Sequence, residues 1–294
     1  MICVKVETIK VMSFATDPNG GNPAGVVLQP DQLTDEQMKK ISQKLNVSET
    51  AYVFPSKSAD YHVRFFSPAT EVDLCGHATI ATFTVIGQQL QSENKDVIEL
   101  TQQTKAGILP VRLYYKKENS LDFVLMRQRK AQIESVTYNT ESIAKALNIS
   151  SESLCNDFPQ ERVSTGLFTL PVCVSSYQVL QEMKPDFHLV KRFCQTIGVG
   201  SLHVFTFDTL EQESVYHARN FAPVYDINED PVTGTANGAV CIYLRYHHRI
   251  TESELICEQG DIIGRKGRVR VTLNDDEVWV GGQAVIKETT TLSV

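Results

Sequence analysis

The chain has 294 residues, 42% hydrophobic and 21% charged, with a net charge of −7. These values exclude a disordered or fibrous chain, and the acidic balance gives no footprint for nucleic acid or an anionic membrane surface. The length exceeds what a single core usually serves, so two domains are expected.

Met1 to Thr8 alternates like a strand and lacks the long apolar stretch of a signal peptide or membrane span, which points to a cytoplasmic protein. The strand pattern runs to Phe14. A turn cluster, Asp17-Pro18-Asn19-Gly20-Gly21-Asn22-Pro23, then leads to a second apolar run, Ala24 to Leu28, as in a hairpin. From Leu33 the spacing becomes helical, with Leu33, Met38, Ile41 and Leu45 recurring on one face, and Thr34 with Gln37 predicts a capping box. Val47 to Phe54 and Tyr61 to Phe66 return to strand patterns. Glu49 opens the first of these and shares a strand face with Ala51 and Val53, where partial desolvation favours a carboxyl that both takes and returns a proton. A strand-end glutamate facing solvent or paired with a lysine is the plainer alternative.

After Gly76 the chain runs to Ile86 without a charge, which predicts a helix buried on every side. Strands are expected over Val97 to Leu100, Gly107 to Tyr115 and Ser120 to Met126. The apolar pattern breaks at Arg127-Gln128-Arg129-Lys130, which sets the expected domains at 1–127, completed by 280–294, and 128–279. In the second, a helix is expected over Thr140 to Leu147, a strand over Leu170 to Val174, a helix from about Pro185 to Ile197 and a strand over Leu202 to Phe207. Arg268 to Leu273, Glu277 to Val280 and Ala284 to Ile286 read as closing strands.

The second half repeats a pattern of the first. Phe66-Ser67-Pro68 matches Phe221-Ala222-Pro223, and Cys75-Gly76-His77-Ala78 matches Thr233-Gly234-Thr235-Ala236, each followed by an uncharged helix. At both helix starts the first backbone N–H groups lack intrahelical partners and the dipole favours an anion, so two such starts make a carboxylate pocket. Gly76 and Gly234 allow close approach of a ligand, and Thr235 adds a hydroxyl. Read singly, each is only the turn into a core helix. His77 is a candidate donor or second acid, or a simple cap. Asp230 is a candidate site residue, or the first half of a turn-forming Asp-Pro.

Cys75 invites a nucleophile reading, but a symmetric two-thiol exchange wants cysteine at both equivalent positions, and the second holds Thr233. The seven cysteines are odd in number, scattered and free of any Cys-x-x-Cys pair, so neither a disulfide framework nor a zinc site is expected. Arg245, His247 and His248 read as a solvated helix end. No His/Asp/Glu group has metal-ligand spacing, and no dinucleotide, Walker or nucleophile-elbow motif is present.

Together these segments resemble the phenazine-biosynthesis PhzF-like isomerase family. The resemblance rests on Gly21-Asn22-Pro23-Ala24-Gly25-Val26, Ser48-Glu49-Thr50-Ala51, Phe66-Ser67-Pro68 leading to Glu71-Val72-Asp73-Leu74-Cys75-Gly76-His77-Ala78-Thr79, Ser164-Thr165-Gly166-Leu167, and Glu229-Asp230-Pro231-Val232-Thr233-Gly234-Thr235-Ala236. It implies an α+β fold shared with diaminopimelate epimerase: two similar lobes, each a mixed, mostly antiparallel barrel-like sheet around a central helix, with the active site between them. It further implies that Glu49 moves a proton between carbons of a small carboxylate-containing substrate, that His77 and Asp230 assist, and that Gly76, Gly234 and Thr235 bind. The family usually has serine at position 235, so the threonine methyl reshapes that corner. Neither cofactor nor metal is expected; the expected partners are the substrate and a second copy in a homodimer, with no nucleic acid and no membrane. The best-studied activity of the family is isomerisation of a dihydro-hydroxyanthranilate in phenazine synthesis, and the resemblance does not carry that substrate to this chain. The alternatives are a racemase or epimerase using Cys75, or a non-catalytic ligand-binding protein on the same fold.

Overall fold

The computed structural model describes residues 4–30, 32–90, 95–117 and 119–294; Met1 to Cys3 of the expected first strand lie outside them. In chain order the elements are β1 Lys5–Ser13, β2 Asn22–Val27, α1 Asp35–Leu45, β3 Thr50–Phe54, β4 Tyr61–Phe66, β5 Glu71–Val72, α2 Gly76–Gln89, β6 Val97–Thr104, β7 Gly107–Tyr115 and β8 Leu121–Arg127. They continue with β9 Gln132–Ser135, α3 Thr140–Leu147, β10 Glu161–Ser164, β11 Phe168–Cys173, α4 Tyr177–Glu182, α5 Phe187–Ile197, β12 Ser201–Thr206, β13 Tyr216–Ala222 and β14 Ile227–Asp230. The last are α6 Gly234–Tyr246, β15 Glu254–Gln259, β16 Gly267–Asn274, β17 Glu277–Gly282 and β18 Ala284–Ser293. The chain divides into two compact units, Met1–Arg127 with Gly281–Val294, and Gln128–Val280.

In the first unit β18, β1, β2, β3, β4, β6, β7 and β8 pair in that order, with parallel steps only at β2–β3 and β4–β6. In the second, β9, β10, β11, β12, β13, β15 and β16 pair in the same directional sequence, parallel only at β11–β12 and β13–β15. Each unit is thus a mixed, mostly antiparallel sheet curled around one central helix, α2 or α6. Both helices are short of charge because nearly every face meets a strand: α2 is buried from Ala78 to Gly87, and α6 from Ala236 to Val240.

Local chemistry explains the peripheral helices. Thr34 caps α1 in a full box with Gln37, and Asn46 ends it in the left-handed region, φ 50°. Met38, Ile41 and Leu45 turn inward, as their spacing predicts. Six strands, β5, β9, β10, β13, β14 and β15, were not foreseen as complete elements by the apolar pattern. β9 is polar and exposed, and β13 carries His217, Arg219 and Asn220, all buried only because each is partnered.

Two local expectations are corrected. Glu49 precedes β3 instead of lying in it, because the ladder starts where Thr50 meets Gly25 and Phe66. His247, expected on a solvated helix end, lies 2.7 Å from Glu161 with both side chains mostly buried, at 17% and 15% exposure.

Candidate active site

In the first unit the α1–β3 connection and the start of α2 bring Glu49, His77 and Cys75 together. Glu49 Oε2 lies 3.4 Å from His77 Nε2, and their side chains keep 18% and 13% of their exposure. Ser48 Oγ is 3.2 Å from the same nitrogen. The Cys75 thiol lies 3.4 Å from the opposite nitrogen, Nδ1. The imidazole therefore bridges a thiol and a carboxylate through its two nitrogens. The backbone carbonyl of His77 accepts a 2.7 Å hydrogen bond from Ser13 Oγ, which ties the first turn of α2 to the end of β1.

In the second unit Asp230 ends β14 and Thr233 precedes α6. The Thr233 hydroxyl donates to Asp230 Oδ2 at 2.5 Å. Behind them Gln259 uses its whole amide: Nε2 donates to the Asp230 carbonyl at 2.9 Å and to Thr233 Oγ1 at 3.2 Å, while Oε1 accepts from Thr233 N at 3.0 Å and Asn237 Nδ2 at 2.9 Å. Thr235 sits in the first turn of α6 next to Gly234, and its carbonyl accepts a 3.2 Å bond from Thr165 Oγ1.

The sheet registers define equivalent positions. Phe66 pairs with Thr50, and its repeat partner Phe221 pairs with Leu202, so Glu49 corresponds to Ser201. Pro23 pairs with Met12 and Phe168 with Ser164, so Ser13 corresponds to Thr165. The hydroxyl clamp on the helix start is therefore made twice, by Ser13 on His77 and by Thr165 on Thr235. The titratable groups are not repeated: Ser201 donates its hydroxyl to Thr169 Oγ1 at 2.8 Å, and threonines stand where Cys75 and His77 do.

Among the described residues, α2 and α6 also stand apart in their caps. Side chains of Thr34, Asn139, Ser176 and Asp186 accept hydrogen bonds at the starts of α1, α3, α4 and α5. Neither Cys75 nor Thr233 does so for its helix. The opening amides of the two central helices are thus left for some acceptor other than a cap, the arrangement that suits an anion.

Below each helix start a bidentate arginine stiffens the approach. Arg64 grips Glu71 through Nε and Nη2 at 2.8 and 2.9 Å, and these bonds hold the Glu71 carboxyl down to about 2, with Lys105 adding to the effect. Arg219 grips Glu229 in the same way, at 2.9 and 2.7 Å. Each guanidinium lies 4.9 Å from a phenylalanine ring, Phe66 or Phe221. Nearby, complete burial pushes His203 down to about 4 and keeps it a neutral core residue.

Glu49, Cys75 and His77 are the cluster of described residues with metal-ligand chemistry, their ligand atoms all within 4.8 Å of one another. The thiol also lies 3.9 Å from His77 Nε2, the nitrogen nearest Glu49. Sequence reasoning missed Ser13, Ser48, Asn237 and Gln259. The two arginines had a visible signal, because Tyr61-His62-x-Arg64-x-Phe66-x-Pro68 recurs as Tyr216-His217-x-Arg219-x-Phe221-x-Pro223.

Comparison with known proteins agrees with this architecture. Residues 11–290 match the model of the PhzC-PhzF family, phenazine biosynthesis-like protein. An uncharacterized isomerase of Bacillus subtilis, YfhB, is 34% identical, covering 99% of each chain. The crystal structure of a Bacillus anthracis phenazine biosynthesis protein of the PhzF family superposes with a TM-score of 0.89 at 32% identity, over 98% of this chain and 99% of that one. A hydroxyproline epimerase from Agrobacterium vitis, 12% identical, shares the fold alone, with a TM-score of 0.64 over 98% and 91% of the two chains. The chain is an isomerase on the fold that epimerases also use. It belongs to the phenazine biosynthesis-like PhzC-PhzF family. No helix among the described residues is long and apolar enough to cross a membrane.

Proposed function

We propose that this isomerase moves a proton between two carbons of a small carboxylate-containing substrate, with Glu49 as its acid/base and no cofactor. The observation that carries the reading is the one-sided chemistry of a duplicated scaffold. Glu49 and His77 have Ser201 and Thr235 as counterparts, so this titratable pair is not duplicated, which favours a single proton carrier. The Glu49 carboxylate takes a proton from a carbon next to an electron-withdrawing group, holds it as the acid, and returns it to another carbon on the same face. Electrons of the broken C–H bond shift through the substrate's own conjugated system. His77, 3.4 Å from Glu49, orients the carboxyl and donates to developing charge. Gly76, Gly234 and Thr235 bind the substrate's polar groups with the uncapped helix amides, and Asp230, held by Thr233, assists. The protein acts in this reading as a cytoplasmic homodimer, an assembly that sedimentation tests directly.

The test is deuterium uptake from heavy water into members of a carboxylic-acid library. Wild type is expected to label its substrate, and Glu49→Gln is expected to lose that labelling. Labelling that persists in Glu49→Gln sinks the assignment, and binding without any labelling favours a non-catalytic ligand-binding protein.

A second reading, a racemase or epimerase, is favoured by the 3.4 Å approach of the Cys75 thiol to His77 Nδ1. It requires activity to fall with Cys75→Ala. Unchanged turnover in that variant removes the thiol route.

A further inference from the structure

Cys155 and Cys173 lie in the second unit, apart from every residue assigned a role above. Ser175 N donates to the Ser153 carbonyl at 2.9 Å and Cys155 N to the Cys173 carbonyl at 3.0 Å, on either side of the antiparallel bridge Leu154 to Val174. That pattern sets Cys155 opposite Cys173, one step from the bridge and on the same face, where opposed Cα atoms are typically about 4.5–5.5 Å apart. A disulfide accepts roughly 4.4–6.8 Å between Cα atoms. Opposed residues of an antiparallel pair carry their side chains on one face, so the two thiols share a side of the ladder, and burial is the main reason the Cys173 thiol is pushed up.

Access is asymmetric. Of the cysteines among the described residues, Cys155 alone is not buried, whereas Cys173 is 6% exposed. Both line one cavity of about 130 Å³, together with Tyr138, Phe158 and Gln160. The contrast is Cys241 and Cys257, whose sulfurs are 3.5 Å apart but wholly enclosed, so no oxidant reaches them in the folded chain.

We propose that Cys155 and Cys173 are a reversible thiol–disulfide site that exchanges with small-molecule disulfides. The Cys155 thiolate attacks one sulfur of the small disulfide, forming a mixed disulfide and expelling one thiolate. Cys173 then loses its proton and attacks the Cys155 sulfur, closing the protein disulfide and expelling the second thiolate. Two protein thiols lose two electrons and two protons, and the small disulfide is reduced to two thiols. Cys155 initiates because it is reachable; Cys173 resolves because it stands opposite Cys155, once it has given up its proton. Once closed, the disulfide fixes the Leu154 to Gln160 wall of the cavity against β11.

The experiment treats the whole protein with excess oxidised glutathione and follows intact mass, thiol count and peptide maps. Wild type is expected to pass through a brief glutathione adduct at Cys155, then lose two thiols and about 2 Da, with the Cys155 and Cys173 peptides joined. Dithiothreitol restores both thiols. Cys173→Ala is expected to stop at the adduct, and Cys155→Ser to take up none. A wild-type adduct that persists without closing overturns the proposal, as does a crosslink involving other cysteines. Wild type alone suffices if Cys173→Ala fails to fold, because the adduct and its closure are both read on the native chain.

Discussion

In the segment from β4 through β5 into α2, Arg64 grips Glu71, lies over Phe66, and leads to a helix start clamped by Ser13. In the segment from β13 through β14 into α6, Arg219 grips Glu229, lies over Phe221, and leads to a helix start clamped by Thr165. The supports agree in residue type, pairing register and distance, yet the groups they present differ. The first unit presents a carboxylate, an imidazole and a thiol; the second presents hydroxyls around a single aspartate. The copies thus share what shapes two uncapped helix starts, and the proposed proton chemistry rests on the groups of the first. A two-base racemase wants the opposite, with titratable groups matched across the copies.

The largest expected effect breaks or keeps that asymmetry. Glu49→Gln should lower proton exchange by about 10²–10⁴-fold, the usual span for a general acid/base. Ser201→Ala, at the register counterpart, should leave exchange within about threefold and cost about 1 kcal/mol of stability for the lost hydroxyl bond to Thr169. Equal losses of exchange in the two variants would mean that the units share the chemistry.

The arginine clamps come next. Arg219 is 7% exposed, and beyond Glu229 it donates to the carbonyls of Leu180 and Met183 at the end of α4. Arg64 is more open, and its second partner is the exposed Asp35 in the first turn of α1. Removing the buried member strands a carboxylate and two carbonyls, so Arg219→Met should destabilise by about 3–5 kcal/mol. Arg64→Met should cost about 1 kcal/mol, because Lys105 still pairs with Glu71 and Asp35 is exposed to water. Urea titration of both variants checks the difference, and similar costs would contradict the burial argument.

A smaller effect tests the duplicated hydroxyl clamp. Ser13→Ala and Thr165→Ala should each destabilise by about 1 kcal/mol. Only Ser13→Ala should also reduce exchange, by several-fold, because its clamp sets the position of His77 opposite Glu49. Heavy-water labelling alongside thermal melting separates the two readouts.

How much of this was legible in the sequence depends on the range of the interaction. The capping box at Thr34 and Gln37 is local and was readable, as were the two charge-free helices, because burial on all sides leaves a compositional mark. The Phe-x-Pro and Gly-X-Ala steps exposed the repeat. Its stronger form, with Tyr, His and Arg ahead of the phenylalanine, lay in the same residues, but the second copy falls in β13, whose buried polar side chains disguise the strand as a loop. Ser201 and Gln259 were not legible. Ser201 acquires meaning only through the register of β12 on β13, and Gln259 only because β15 passes behind the start of α6. Neither pairing has a local signature.

The least effect expected is on acid stability, and its sign follows from the first clamp. Arg64 holds the Glu71 carboxyl down to about 2 from an ordinary 4.5. A depressed carboxyl stabilises the fold at pH above its ordinary value, and that contribution drains away as pH falls from 4.5 through 2. Glu71→Gln should therefore lower the urea midpoint at pH 6 and flatten its decline between pH 4.5 and 2. Glu211, held down to about 2 by Arg268 and Lys266, gives the matching test in the second unit. Both carboxylates are partly in contact with water, so screening keeps each change small. If Glu71→Gln leaves the slope of the acid decline untouched while Glu211→Gln flattens it, the clamp of the first unit positions the approach to α2 without storing acid-sensitive stability.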